Sequence, residues 1–515
     1  MKKTILLLVL TIMTIIVSAQ PKNLSYIESS TGLNYPDWDG GRTELEFADM
    51  NADGFIDIVS VGDHGCPYIN TSQHGIMVWF GDGTGSWSVQ MTGNFGYGGI
   101  AVGDVNNDGL LDVGYGIHHN YSATDLGNQL IEVALGDGTG TNWIAWDDGL
   151  ATNGETWGMF ASDFADVDND GDLDIGSNSF GSGAGVHVYI NQFDGSWEQS
   201  FGFLGGNSNM CLVFGDINND GNADMVTAHQ YGTVYFGDGT GGFTNVDGNL
   251  PGSLYGGPSL GDINNDGGKD LAFAYNGGVQ VWIWDNTEEI WIDYSGSLPG
   301  YGSYEETQLY DMNADGNMDL AAYGDGDFTL WLGDGTGTWN EETQFTTTGI
   351  SNCQAFRVGG DADHNGYPDI TLVAEGGSWP NYQNHMKFYK ETSVPDILTI
   401  STIFPKGHEV FNENSVQFID WISAVPDYEP SLVKLEYSIY GLNGPWYLIA
   451  DSLPNNGRYQ WNIPQVNSSN CYIKYTGCQR GLGGIPSVFQ CYTCRKLVRP
   501  DGLRPQNPTE GWRGF

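Results

Sequence analysis

Seven short acidic segments carry the chemistry that this sequence can do. Each has the form Asp-x-Asp/Asn-x-Asp/Asn-Gly-x-x-Asp, starting at Asp49, Asp104, Asp166, Asp216, Asp262, Asp311 and Asp361. In such a loop the side chains at positions 1, 3 and 5 converge and Gly at position 6 permits the sharp turn. The carbonyl at 7 points inward and Asp at 9 closes the cage. Oxygen-only donors in that number suit a hard cation of calcium's size, so up to seven mainly structural Ca²⁺ ions are expected.

The expected ligands are Asp49, Asn51, Asp53 and Asp57 in the first loop, and Asp104, Asn106, Asp108 and Asp112 in the second. Asp166, Asp168, Asp170 and Asp174 follow in the third, and Asp216, Asn218, Asp220 and Asp224 in the fourth. The fifth offers Asp262, Asn264, Asp266 and Asp270, and the sixth Asp311, Asn313, Asp315 and Asp319. The seventh has Asp361, Asp363, Asn365 and Asp369. An EF-hand would need an acid at position 12, where Ser60, Tyr115, Ser177, Thr227, Phe273, Ala322 and Leu372 stand instead. The third loop, with four aspartates, is expected to bind tightest. The seventh, with His364 and Pro368 inside it, is expected to bind weakest. The bland alternative for any one copy is an Asx-turn that holds a hairpin without metal.

Loops of this kind need strands to hold them. Their starts are separated by 46 to 62 residues, a period that suits four-stranded propeller blades and is too long for a parallel β-helix. A short apolar strand runs into each loop, as in Leu212–Gly215. A second follows it, as in Leu320–Tyr323, and a third ends in a Gly-Asp-Gly turn such as Gly81-Asp82-Gly83. A fourth begins at an aromatic residue: Trp87, Trp143, Trp197, Phe243, Trp291 or Trp339. That leaves the seventh unit one strand short, and the stretch from Tyr26 to Leu33 resembles the missing one. The reading is an all-β, seven-bladed propeller over residues 23–392, closed by an N-terminal strand that removes an open edge.

These repeats resemble the FG-GAP or VCBS-type repeats of integrin alpha-subunit propellers and of many secreted bacterial proteins. The resemblance covers about residues 23–392. It implies that the calcium loops join the first and second strands of each blade, opposite the ligand-binding face. It spans adhesion, carbohydrate binding and some polysaccharide lyases, so it leaves the function open.

The face opposite the acidic loops would gather the loops joining strands two and three and those joining successive blades. Candidate ligand-binding residues there are His64, His118, His119, Trp157, His229, Tyr255, Tyr301 and Trp379. Exposed aromatics beside Asn and His are what neutral sugars need, stacking plus directional hydrogen bonds. The alternative is that these rings pack between blades. The leading function is binding of a glycan or a cell-surface or extracellular protein ligand. The rival is a calcium-dependent polysaccharide-degrading lyase or hydrolase using the same face, with Glu155 and Glu375 as carboxyl partners of the histidines. No nucleophile elbow, His-Glu-x-x-His or Ser/His/Asp signature is present. The propeller also offers few cations to neutralise a uronate.

Composition sets the partners and the address. Only 18 Lys and Arg stand against 64 Asp and Glu, a formal charge of −46 that repels phosphate backbones and excludes nucleic acid as a partner. Lys2 and Lys3, the apolar run Ile5–Val17 and the small residues before Ala19 read as a signal peptide over residues 1–19. The run is shorter than a membrane span, so a secreted or cell-surface protein with no transmembrane segment after cleavage is expected.

After Pro395 the repeats stop. Short strands over 396–477 resemble a small Ig-like or fibronectin-like sandwich module, read as a spacer or attachment unit. Residues 478–515 form an atypical tail with six bases and two acids, a composition that suggests a shifted reading frame. Its Cys491-x-x-Cys494 is weak evidence for metal or redox chemistry.

Overall fold

The computed structural model describes residues 24–34, 44–62, 75–118, 124–155, 158–179, 185–252, 255–347, 355–374, 377–378, 381–382, 384–426, 431–479 and 489–492. Every named element among them is a strand. No helix among the described residues is long and apolar enough to cross a membrane.

Among the described residues, 24–391 contain seven four-stranded antiparallel sheets, repeated as in the blades of a propeller, and a short pair of Gly377–Ser378 with Asn381–Tyr382. Sheet one is Glu46–Ala48, Asp57–Val61, Ile76–Gly81 and Trp87–Thr92 in spatial order, and sheets two to six repeat that up-and-down order. The seventh takes Phe356–Val358, Ile370–Ala374 and His385–Glu391 from the end of the repeat region. Its fourth strand is Tyr26–Glu28, with Tyr26 opposite Glu391 and Glu28 opposite Tyr389.

Middle strands such as Asp57–Val61 and Asp174–Ser179 are buried along their whole length, because each sheet is covered on both faces by its neighbours. Their residues are mostly apolar or small for that reason. One apolar cluster joins Leu45, Ile58 and Trp79 of sheet one to Val373 and Phe388 of sheet seven. Where a tryptophan opens a fourth strand it also fastens the preceding sheet in four cases, Trp143 Nε1 being buried without a partner. The indole N–H of Trp197 donates to the Trp146 carbonyl at 2.7 Å, that of Trp291 to Val246 at 3.0 Å, and that of Trp339 to Tyr294 at 2.9 Å.

The C-terminal module has two sheets: Thr399–Phe404, Val416–Ala424 and Arg458–Asn462 against Ser431–Ser438, Tyr447–Pro454, Tyr472–Gln479 and Phe489–Tyr492. Trp421, Leu435, Trp461 and Ile473 fill the space between them. This module is seated on the propeller. Val416 and Phe418 share a cluster with Phe164 and Leu173, and both come from a strand of the module. Of the stretches read as a signal peptide and an atypical tail, residues 1–19, 480–488 and 493–515 lie outside the described residues, while 478–479 and Phe489–Tyr492 belong to strands of the module's second sheet.

Candidate functional site

Each acidic loop begins where a first strand ends and finishes as the second begins. Its curl depends on two left-handed residues. Gly at position 6 has φ between 86° and 101° in all seven copies. Position 4 is also left-handed, at Ala52, Asn107, Asn169, Asn219, Asn265, Ala314 and His364, with φ from 53° to 62°. Asn tolerates that region best after Gly, which accounts for its use in four copies. The motif as read from the sequence left position 4 blank. The available signal was the recurrence of Asn there.

The aspartates at positions 1 and 9 organise the curl. Asp49 Oδ1 accepts the Asp53 N–H at 3.0 Å and Oδ2 accepts the Gly54 N–H at 3.0 Å, a pattern repeated around the ring. Asp57 Oδ2 accepts the Met50 N–H at 2.9 Å, and Oδ1 accepts the Gly81 N–H at 3.0 Å. Position 9 therefore ties the loop to the end of the third strand. Asp112, Asp174, Asp224, Asp319 and Asp369 do the same toward Gly136, Asn191, Gly237, Gly333 and Glu391.

These carboxyls are held out of water, and burial is the largest cause of their raised pKa values. Asp57 is pushed up to about 8 and Asp112 to about 7, with N–H donors opposing the shift. In the third loop Asp172 is pushed up to about 8 by burial and then by Asp170 and Asp166. A bound cation would favour the charged carboxylates and oppose this shift.

The donor set fits a hard cation. In the third loop oxygens of Asp166, Asp168 and Asp174 lie within 4.8 Å of one another, and in the seventh those of Asp361, Asp363 and Asp369 do. Asp168 Oδ1, Asp172 Oδ1 and Asp363 Oδ1 are buried without a hydrogen-bond partner. Such orphaned acceptors are costly unless something positive meets them. Among the described residues these two loops bring three carboxylates this close, and in the seventh Lys390 Nζ already stands 2.9 Å from Asp363 Oδ2. The seventh loop's position-4 His364 points out of the cage, with Nε2 2.9 Å from the Gly54 carbonyl, and position 3 is a carboxylate instead of an amide.

The C-terminal module covers this face of the propeller, touching loops all round the ring. Asn456 Nδ2 donates to Asp49 Oδ2 at 3.3 Å, Gln460 Nε2 to the Asp104 carbonyl at 2.8 Å, and the Val416 N–H to Asp166 Oδ2 at 2.8 Å. Asn219 of the fourth loop accepts the Val410 N–H at 2.8 Å, and Gly267 of the fifth lies against the His408 backbone. Lys406 Nζ reaches Asp311 Oδ2 at 3.1 Å, and the Val425 N–H donates to the His364 carbonyl at 2.7 Å. Between module and propeller lies a cavity of about 340 Å³ lined by Glu46, Arg357, Asp420, Trp421 and Arg458. Arg357 Nη2 pairs with Glu46 Oε2 there at 2.7 Å.

The opposite face departs from its sequence reading. His118 is buried against Tyr97 and Phe160, so it packs inside instead of facing a ligand. His229 is buried too, with Nε2 3.0 Å from the Gly205 carbonyl and Nδ1 accepting the Tyr231 N–H at 3.1 Å. Tyr255 stacks on Phe273 with centroids 3.8 Å apart, and its hydroxyl donates to Gly252. In each case the ring fills the wedge between adjacent sheets. Tyr301, between the fifth and sixth sheets, is 84% exposed, and Tyr231, in a turn of the fourth, is 58% exposed. His64, His119, Trp157, Trp379 and Glu375 lie outside the described residues.

Glu155, read from the sequence as a carboxyl partner for histidines, meets one that was not among the candidates, and a second buried cluster about Glu132 escaped the sequence reading altogether. Glu155 Oε1 lies 3.1 Å from His187 Nδ1 and accepts the Tyr189 hydroxyl, while Glu155 Oε2 accepts the Asn153 N–H at 2.8 Å. His187, within an apolar strand, gave no spacing signal. Nearby in sheet two, Glu132 accepts from Tyr115 and from the Gly127 and Gln129 N–H groups, bracing residues 127–129.

No curated protein matches this chain. A crystal structure of a protein from Lactobacillus plantarum, a structural-genomics target, is 13% identical, with a TM-score of 0.39 over 60% of this chain and 86% of that one. The structure of the Dos1 propeller is 8% identical, with a TM-score of 0.37 over 68% of this chain and 96% of that one. Residues 49–115, 166–227 and 311–372 match the FG-GAP-like repeat family. Three regions of this all-β chain are therefore FG-GAP-like repeats, carried on the four-stranded sheets described above.

Proposed function

We propose that this chain is an exported, calcium-holding recognition protein that binds a glycan or an extracellular protein ligand on the face opposite its acidic loops. The observation that carries the reading is the seating of the C-terminal module. Its hydrogen bonds to the propeller fall on the acidic loops, which leaves the opposite face for a ligand. The exposed rings of Tyr231 and Tyr301 lie on that open side, where stacking on a sugar or on an apolar protein patch costs little ordering. Calcium in the loops supports the scaffold, and a millimolar extracellular supply suits sites with an affinity of about 0.1 mM.

The test is a glycan-array and turnover screen of the full chain with calcium and with chelator, repeated on Tyr231→Ala and Tyr301→Ala. Binding without product, lost in the Tyr variants at unchanged melting temperature, supports the reading. Appearance of product replaces it with a polysaccharide-degrading enzyme on the same face.

A further inference from the structure

The third loop poses an electrostatic problem at the interface. It holds five carboxylates, Asp166, Asp168, Asp170, Asp172 and Asp174, and two of their oxygens are buried without a partner. The C-terminal module supplies this loop only with neutral donors: the Val416 N–H on Asp166 Oδ2, Asn462 Nδ2 on the Gly171 carbonyl at 3.0 Å, and Asn412 Nδ2 on Asn169 Oδ1 at 3.4 Å. Among the described residues no Lys or Arg pairs with it. Covering five carboxylates with neutral groups is strongly unfavourable unless a cation shares the space.

A second observation joins the loop's curl to the module. The outer oxygen of the position-1 aspartate is the acceptor for the module in three loops, at Asp49, Asp166 and Asp311. The same side chains accept the position-5 and position-6 N–H groups that close each loop. One carboxylate thus senses the curled loop on one side and the seated module on the other.

From these we infer that the C-terminal module is a cap latched by the cations in the acidic loops, the third loop above all, and that metal loss releases the cap from an otherwise folded propeller. This rests on the reading that the loops hold calcium. Linkage makes the coupling reciprocal: a seated cap tightens the metal, and bound metal tightens the cap.

Two amides report seating directly. The Val416 and Val425 N–H groups donate into the propeller, whereas those of Val433 and Leu435 lie in strands within the module. Hydrogen exchange on the full chain, with calcium and then with chelator, reads both sets, while elemental analysis reads bound metal. The expected result is at least tenfold faster exchange at Val416 and Val425 on chelation, with Val433 and Leu435 unchanged. In parallel, Asn412→Ala with Asn462→Ala, two cap residues outside the cages, should weaken the tightest calcium site about tenfold.

Unchanged exchange at Val416 and Val425 after metal has left overturns the inference. So does equal acceleration at all four amides, which is unfolding rather than release. Absence of any bound calcium removes the reading beneath it and is recognised separately by the elemental analysis.

Discussion

The indole nitrogen of Trp87 donates to the carbonyl of Ser29 at 3.1 Å, and this bond fastens the first complete sheet to the strand arriving from the chain's start. The Trp87 N–H also donates to the Thr31 carbonyl at 2.9 Å, and Trp87 packs on Phe388 of the seventh sheet. Trp87→Phe keeps most of the packing and removes the indole bond. It should cost about 1 kcal/mol in urea unfolding. Deleting residues 24–30 should do more, exposing an edge of sheet seven and giving aggregation visible by light scattering.

Calcium should dominate the stability of the ring. A site with affinity near 0.1 mM contributes about 1.4 kcal/mol at 1 mM calcium, so several such sites approach the whole stability of a domain. Melting in 1 mM calcium should therefore occur far above melting in chelator. Equal temperatures would show the loops to be Asx-turns without metal.

Asp168→Asn separates the two roles of a loop carboxylate. It should lower the affinity of the tightest site about tenfold or more by calorimetry. In chelator the same change should raise the melting temperature, because one of five crowded carboxylates is gone. A fall in both conditions would mean that Asp168 is structural.

Asp147 gives a pH test away from the acidic loops. Its Oδ2 is buried without a partner, and burial, then Glu132, Asp125 and Asp148, push its carboxyl up to about 7. A carboxyl whose folded pKa is raised holds its proton in the folded state after the unfolded chain has released it. Its contribution is fully present below about pH 4 and is lost as pH rises toward 7. Asp147→Asn should leave the melting temperature unchanged near pH 4 and raise it progressively up to pH 7, then by a constant amount. A gain that is flat with pH would refute the assignment.

Position 4 of the fourth loop separates backbone conformation from contact. Asn219 has φ of 56°, its Oδ1 accepts the Val410 N–H, and its Nδ2 donates to the His408 carbonyl at 3.1 Å. Asn219→Gly keeps the conformation and loses the bonds, while Asn219→Val loses both. Val should cost about 1–2 kcal/mol more than Gly in urea unfolding, since left-handed backbone is unfavourable for a branched side chain.

The repeats, the strands and the acidic cages were legible because they recur. Seven in-register copies of Asp-x-Asp/Asn-x-Asp/Asn-Gly-x-x-Asp fix both the turn and where strands begin. The pairing of Tyr26–Glu28 with His385–Glu391 followed from counting fourth strands. What did not show was depth. His118, His229 and Tyr255 carry the same residue types as a sugar site, yet each is wedged between sheets, and a period cannot tell an inner ring from an outer one. The seating of the C-terminal module was equally hidden. Its contacts, such as Lys406 with Asp311 and Gln460 with Asp104, join positions 95 and 356 residues apart with no local pattern.

The division of the seventh sheet has one more effect. Glu391, where the third strand ends, and Tyr26, where the closing strand begins, face each other beside the seventh acidic loop. Entry and exit of the propeller are thus on one side, the side that carries the C-terminal module. Anything joined to the propeller at either of these ends leaves it on the side away from Tyr231 and Tyr301. A propeller held through either of its chain ends would present Tyr231 and Tyr301 outward like the dish of an antenna, with its mounting behind it.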